Sequence, residues 1–161
     1  MIEKVVKVLP GSGTRLLFPN VVFNFDKLYK TMKSWFDDHD YDFHEKEHTE
    51  KDKPLGREIL IKWVAEREVD DYAKFIIEVK FFIENFTEIE GANKCDLELK
   101  FWARVELDYK NAWQTNRLYK FLFWFRNNFL IRKKIENDYC GKLKEEVNEL
   151  QEIAKNIVLG K

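Results

Sequence analysis

Residues Cys95–Asp108, CDLELKFWARVELD, place Leu97, Leu99, Phe101, Ala103, Val105 and Leu107 on one side of an alternation. Asp96, Glu98, Lys100, Arg104, Glu106 and Asp108 lie on the other. A period of two belongs to a strand, and the contrast between its two sides predicts that one face is buried and the other wet. The pattern runs over 95–109 and recurs twice upstream. In 57–69, Ile59, Ile61, Trp63, Ala65 and Val69 alternate with Glu58, Lys62, Glu66 and Glu68. In 72–84, Phe75, Ile77, Val79, Phe81 and Ile83 alternate with Lys74, Glu78, Lys80 and Glu84. Three long strands, each with one apolar face, predict an antiparallel meander. The outward rows mix both signs, which reads as a solvated face with cross-strand ion pairs. A triphosphate-binding tunnel would need an excess of Lys and Arg that Asp96-x-Glu98-x-Lys100 and its neighbours lack.

Upstream, a short strand over about 3–9 is followed by the turn Pro10-Gly11-Ser12-Gly13 and a second extended segment, 14–24, interrupted at Pro19. The turn lacks the Lys-Ser/Thr ending of a phosphate-binding P-loop, and no helix follows it directly. Over 25–37, Phe25, Leu28, Tyr29, Met32, Trp35 and Phe36 recur on one helical face, with Asn24 placed to cap the helix. The expected sheet spans 40–110 and the N-terminal strands 1–24, and all of it belongs to a single domain, 1–161.

Downstream, no proline and one interior glycine, Gly141, occur between Thr115 and Leu159, so 115–159 reads as one long helix or two nearly collinear ones. Ile135, Tyr139, Leu143, Val147, Leu150, Ile153 and Ile157 give its second half a single buried stripe. Its first half, LYKFLFWF, is apolar nearly all round, through Leu118, Tyr119, Phe121, Leu122, Phe123, Trp124 and Phe125. One sheet face cannot satisfy such a helix, so a second apolar surface is implied: another part of the chain, another subunit, a ligand or a membrane interface. Arg126, Arg132, Lys133 and Lys134 follow the aromatic run as in interfacial helices, but the acids beyond Glu136 offset them, so a membrane surface is not the expected partner.

Composition narrows the function classes. A chain of 161 residues can withdraw about 70% of its unfolded surface from water, enough for a full core. Its 28 basic and 29 acidic residues nearly cancel, so no long-range field would concentrate a polyanion, and nucleic acid is not an expected partner. The start, MIEKVVKVLP, lacks the features of a signal peptide, and no run approaches the roughly 18 apolar residues of a membrane span; a cytoplasmic location is expected. Cys95 and Cys140, distant in sequence, fit unpaired thiols in a reducing compartment. The sequon Asn85-Phe86-Thr87 reads there as turn chemistry.

One motif resembles catalytic machinery. His44-Glu45-Lys46-Glu47-His48 fits the HExxH pattern of zinc metalloproteases, and all three histidines, His39, His44 and His48, fall within ten residues. The chemistry requires a helix, on which residues four apart stand about 5–6 Å from each other. On a strand they are about 13 Å apart. Tyr41 and Phe43 alternate with Asp42, His44 and Lys46, which favours the strand, and Lys46 and Glu47 are charged where a zincin helix is buried. No third ligand follows. The expectation is therefore no catalytic residues, no cofactor and no metal, a surface site at His44 or His48 being the alternative. Ser12 and Ser34 lack a nucleophile-elbow context, and neither cysteine has a histidine near it in sequence.

The order strand, helix, antiparallel meander, long C-terminal helix resembles the helix-grip fold of the START and Bet v 1 superfamily, which includes polyketide-cyclase-like proteins. The run LYKFLFWFRNNFLIRKKIENDYCGKLKEEV also resembles archaeal proteins of that general organisation. The class expected is α+β, with fewer strands than the full helix-grip fold. The resemblance implies an apolar ligand such as a lipid between sheet and C-terminal helix, lined by Trp63, Phe75, Phe81, Phe101, Leu122, Phe125 and Phe129. The competing reading, favoured because large aromatics fill space, is a non-enzymatic interaction or assembly protein. It makes Tyr119, Phe121, Phe123 and Trp124 the surface for a homo-oligomer or protein partner.

Overall fold

The computed structural model describes residues 3–161. Strands β1 (Val5–Lys7) and β2 (Thr14–Phe23) precede helix α1 (Phe25–Asp38). Strands β3 (Asp42–Lys53), β4 (Gly56–Glu68), β5 (Ala73–Ile89) and β6 (Ala92–Leu107) form the meander. Helix α2 (Arg117–Phe125) then runs into a π-helical segment, Arg126–Leu130, and a second π segment, Lys134–Gly141, runs into α3 (Lys142–Leu159). The protein is α+β, built on one open antiparallel sheet in the order β1, β6, β5, β4, β3, with β2 also pairing with β6. β1 and β2 share one edge of β6, β1 opposite Arg104–Glu106 and β2 opposite Asn93–Phe101.

The alternation that predicts the strands also decides their packing. Ile59, Ile61, Trp63, Ala65, Phe75, Ile77, Val79, Phe81 and Ile83 are buried on the inner face, with Leu97, Leu99, Phe101, Ala103, Val105 and Leu107 beside them. Helices α1 and α3 cover this face. α1 contributes Leu28, Met32, Trp35 and Phe36, and begins with Asn24 accepting a 3.0 Å hydrogen bond from the Lys27 amide. α3 contributes Leu143, Val147, Leu150, Ala154 and Val158, one stripe of an otherwise charged helix. Trp63 lies at the centre, edge-on to Phe43 at 4.9 Å, Phe81 at 4.6 Å and Tyr29 at 5.1 Å.

One ion pair locks the layers at the end of β4. Arg67 meets Glu146 of α3 at 2.9 Å, stacks over Tyr41 and Phe75, and donates to the His39 carbonyl at the end of α1. The Tyr41 hydroxyl donates to Glu146 at 2.7 Å; burial and the adjacent carboxylate push its pKa far above the ordinary value.

The C-terminal helix is interrupted at a different residue from the one the sequence suggests. Gly141 has ordinary helical angles (φ −60°, ψ −47°), and the helix passes straight through it. The break falls at Ile131 (φ −120°, ψ 15°), whose amide closes a π turn on the Arg126 carbonyl. β-Branched Ile131 is less costly outside a helix than within one.

Candidate functional site

The site is built from the end of β6. Asp108, buried and with positive φ (51°), accepts from the Trp113 amide at 3.0 Å and the Gln114 side chain at 3.1 Å, folding 109–115 into a compact loop. Asn116 then caps α2 by accepting from the Tyr119 amide at 2.9 Å. Phe123 is the one buried residue of α2, its ring 6.3 Å from that of Tyr72. One helical turn on, Asn127 is fully buried and accepts the Tyr72 hydroxyl proton, while its Nδ2 has no partner among the described residues. Arg126 lies over the rings of Tyr72 (4.5 Å) and Trp113 (5.5 Å). Tyr72, between β4 and β5, is thus the post to which the arm formed by α2 and the first π segment is fastened. Burial is the main cause that pushes its hydroxyl up to about 12.

The opposite side of the arm faces water. Leu118, Phe121, Leu122, Phe125 and Phe129 follow the spacing of one helical stripe, and they are exposed to between 37% and 64%. Tyr119 and Leu130, off that stripe, are 44% and 69% exposed. The rings shelter one another, Phe121 near Trp124 and Phe125, and Phe129 near both, at centroid distances of 5.2–6.4 Å. From Tyr109 to Ile135 the sequence contains no acid. Arg117, Lys120 and Lys133 are exposed and meet no carboxylate among the described residues. The other cations of the stretch are engaged: Lys110 with Asp71, Arg126 over Tyr72, Arg132 with Glu136 and Lys134 over Tyr139.

Of the four residues expected to form an interaction surface, Tyr119 and Phe121 are exposed, Trp124 is half-buried and Phe123 points inward. Phe123 therefore belongs to the anchor, because the arm needs one apolar residue to hold it against Tyr72. The expected cavity lining is divided between two places. Trp63, Phe75, Phe81 and Phe101 are packed in the core, while Leu122, Phe125 and Phe129 lie on the outward stripe. These seven residues line no common space, because the compact loop at 109–115 and the break at Ile131 separate α2 from the helix that covers the sheet.

HEKEH lies in β3, and a bulge between Glu45 and Glu47 changes its geometry. His44 is opposite the outward Val64 and His48 opposite the inward Ile61, so the two imidazoles are on different faces. In an unbroken strand residues four apart share a face, as a strand at 44–48 would imply; the extra residue at the bulge puts these two on opposite faces instead. Glu45, the would-be general base, accepts from the Tyr29 hydroxyl at 2.8 Å and from Trp63 Nε1 at 3.1 Å. It satisfies polar atoms at the edge of the aromatic core. No group of three metal-ligating side chains occurs among the described residues. Burial pushes the Cys95 thiol up to about 12 and raises Cys140 as well, so neither is prepared as a nucleophile.

The outer sheet face carries a feature the sequence does not display until its strands are paired. Lys62, Lys80, Lys100 and Arg15 stand directly opposite one another in four adjacent strands. Glu47 pairs with Lys62 at 3.1 Å and Glu98 with Arg15 at 2.9 Å. Among the described residues neither Lys80 nor Lys100 makes an ion pair: Lys80 lies 6.0 Å from the Phe82 ring and attracts Glu47 only at longer range, and Lys100 lies 5.6 Å from the Trp102 ring. The glycine turn closes on this face: Gly13 has φ +83°, and a Cβ there would come within 2.9 Å of the Trp102 ring. The turn is fitted to Trp102.

The chain matches none of the known protein families with which it was compared, and no curated protein matches its sequence. No helix among the described residues is long and apolar enough to cross a membrane.

Proposed function

We propose that this chain is a non-enzymatic attachment protein that docks on a partner through the outward stripe of α2 and the first π segment. The observation that carries the reading is the exposure of Leu118, Phe121, Leu122, Phe125 and Phe129 on an arm anchored by Phe123 alone among the residues of α2. Withdrawing apolar surface from water contributes about 25 cal/mol per Å2, and contiguous exposed patches of this kind mark interaction sites. Charge selects the kind of partner. A second copy docked on the same stripe would bring Arg117 and Lys120 of the arm and Lys133 beside it, which meet no carboxylate among the described residues, near their counterparts, so the surface suits a partner of opposite charge better than self-association.

The helix-grip resemblance enters as architecture. β2 closing on β6, with α1 and α3 on the inner face, is compatible with a reduced form of the START and Bet v 1 organisation. Its ligand-binding role receives less support, because Trp63, Phe75, Phe81 and Phe101 pack into the core where the ligand would sit.

The test compares Phe121→Asp/Phe129→Asp with Phe123→Asp. The double variant should unfold at the temperature of the native protein and lose its retention on a phenyl matrix, while Phe123→Asp should lower the unfolding temperature. Equal destabilisation by both would make the stripe part of the core and end this reading.

A further inference from the structure

We infer that the partner is an anionic lipid surface, with the arm lying in the plane of the headgroup–acyl boundary; the inference rests on the docking reading above. Three observations converge on it. First, the exposed apolar side chains exceed one stripe, because Tyr119 and Leu130 add to the face made by Leu118, Phe121, Leu122, Phe125 and Phe129. A protein groove grips one stripe of a helix, whereas a lipid interface accepts an apolar knob on several sides. Second, Tyr119 and Trp124 have a polar tip on an apolar ring, the type of side chain that settles at headgroup level. Third, three exposed cations without a carboxylate partner among the described residues bracket the apolar residues, Arg117 and Lys120 at the start of the arm and Lys133 just beyond its end, within reach of phosphate and carboxylate headgroups.

The sequence argues against a membrane surface through its acids beyond Glu136, and the fold weakens that objection without removing it, since Asp138 and Glu145 stay exposed. Glu136 is engaged by Arg132, Glu146 is turned inward to Arg67, and Glu152 pairs with Lys155. The later acids ride on the helix that covers the sheet. Length supports a surface position: Arg117–Leu130 spans about 21 Å at 1.5 Å per residue, short of the roughly 30 Å of a hydrocarbon core.

The experiment is co-sedimentation of the full chain with vesicles of phosphatidylcholine alone and of phosphatidylcholine mixed with phosphatidylserine. The expected result is partition onto the anionic vesicles at least about tenfold stronger than onto the neutral ones, weakened by added salt. Arg117→Glu/Lys120→Glu should reduce anionic binding to the neutral level, and Phe121→Asp/Phe129→Asp should abolish binding to both, each with an unchanged circular dichroism spectrum. Absence of vesicle binding by the native chain overturns the lipid inference. If native mass spectrometry of that sample shows a homodimer that the double Asp variant lacks, the docking reading survives with a second copy as occupant. Vesicle binding that neither double variant diminishes overturns the lipid inference and the docking reading together.

Discussion

The Tyr139 hydroxyl donates a 2.6 Å hydrogen bond to Asp70 Oδ2, joining the second π segment to the turn between β4 and β5. The other oxygen of the same carboxylate accepts from the amides of Tyr72 and Ala73, both at 2.8 Å. Asp70 therefore shapes the turn that presents Tyr72, and Tyr72 fastens the arm. Tyr139→Phe keeps the ring and removes the bond, and should cost about 1 kcal/mol in urea unfolding. The larger signal should be local, as faster hydrogen exchange at 123–130 with little change in the central strands.

Acid should weaken the fold through Asp70 and Asp96. Burial alone would raise the Asp70 carboxyl, but the bonds from Tyr139, Ala73 and Tyr72 outweigh it and hold it below its ordinary 3.8. The Asn20 amide and the Asn85 side chain do the same for Asp96, at 2.7 and 2.9 Å. A folded-state pKa below the unfolded one gives stability that is present above the unfolded value and lost as pH falls through the folded one. The urea midpoint should therefore drop as pH falls below about 4, and the drop should be shallower in Asp70→Asn and Asp96→Asn. Equal acid sensitivity in all three proteins would mean that other carboxylates carry it.

Arg67 and Glu146 are 15% and 10% exposed at their side chains and 2.9 Å apart, so neither can lose its partner cheaply. Glu146→Ala would strand the guanidinium between Tyr41 and Phe75, and should cost about 3 kcal/mol. Arg67→Met together with Glu146→Leu should cost clearly less than the sum of the two single changes, because no charge is left buried. Additive costs in this double-mutant cycle would show that the pair is not coupled.

How much of this was legible in the sequence depended on whether a residue's role is local. The period-two rows of β4, β5 and β6 predicted which side chains would be buried, because alternation along a strand needs no knowledge of its neighbours. Asn24 was legible as a cap for the same reason. The faces of His44 and His48 were not legible, because a bulge is a property of two strands in register. The interruption at Ile131 was not legible because glycine is the stronger local signal, yet Gly141 is held in the helix by the packing of Ile135, Tyr139 and Leu143 on either side of it. LYKFLFWF showed that a second apolar surface was needed; that Phe123 alone would turn inward depended on Tyr72, about fifty positions upstream.

The row Lys62, Lys80, Lys100 and Arg15 should be a place where one substitution strengthens the protein. Adjacent strands lie about 4.8 Å apart, and like charges directly opposite one another repel. The two ends of the row have carboxylates in ion-pair contact, Glu47 and Glu98, while Lys80 and Lys100 in the middle have none so close among the described residues, Lys80 attracting Glu47 only at longer range. Lys80→Glu would put an acid between Lys62 and Lys100, replacing two repulsive contacts with two attractive ones. The expected gain is roughly 0.2–1 kcal/mol for each contact, read as a higher urea midpoint at low ionic strength. Lys80→Gln, which only removes the charge, should gain less, and the differences among the three proteins should shrink as salt screens the row. A loss of stability in Lys80→Glu at low salt would mean that the attraction of Lys80 to Glu47 and Glu78 exceeds its repulsion by the lysines.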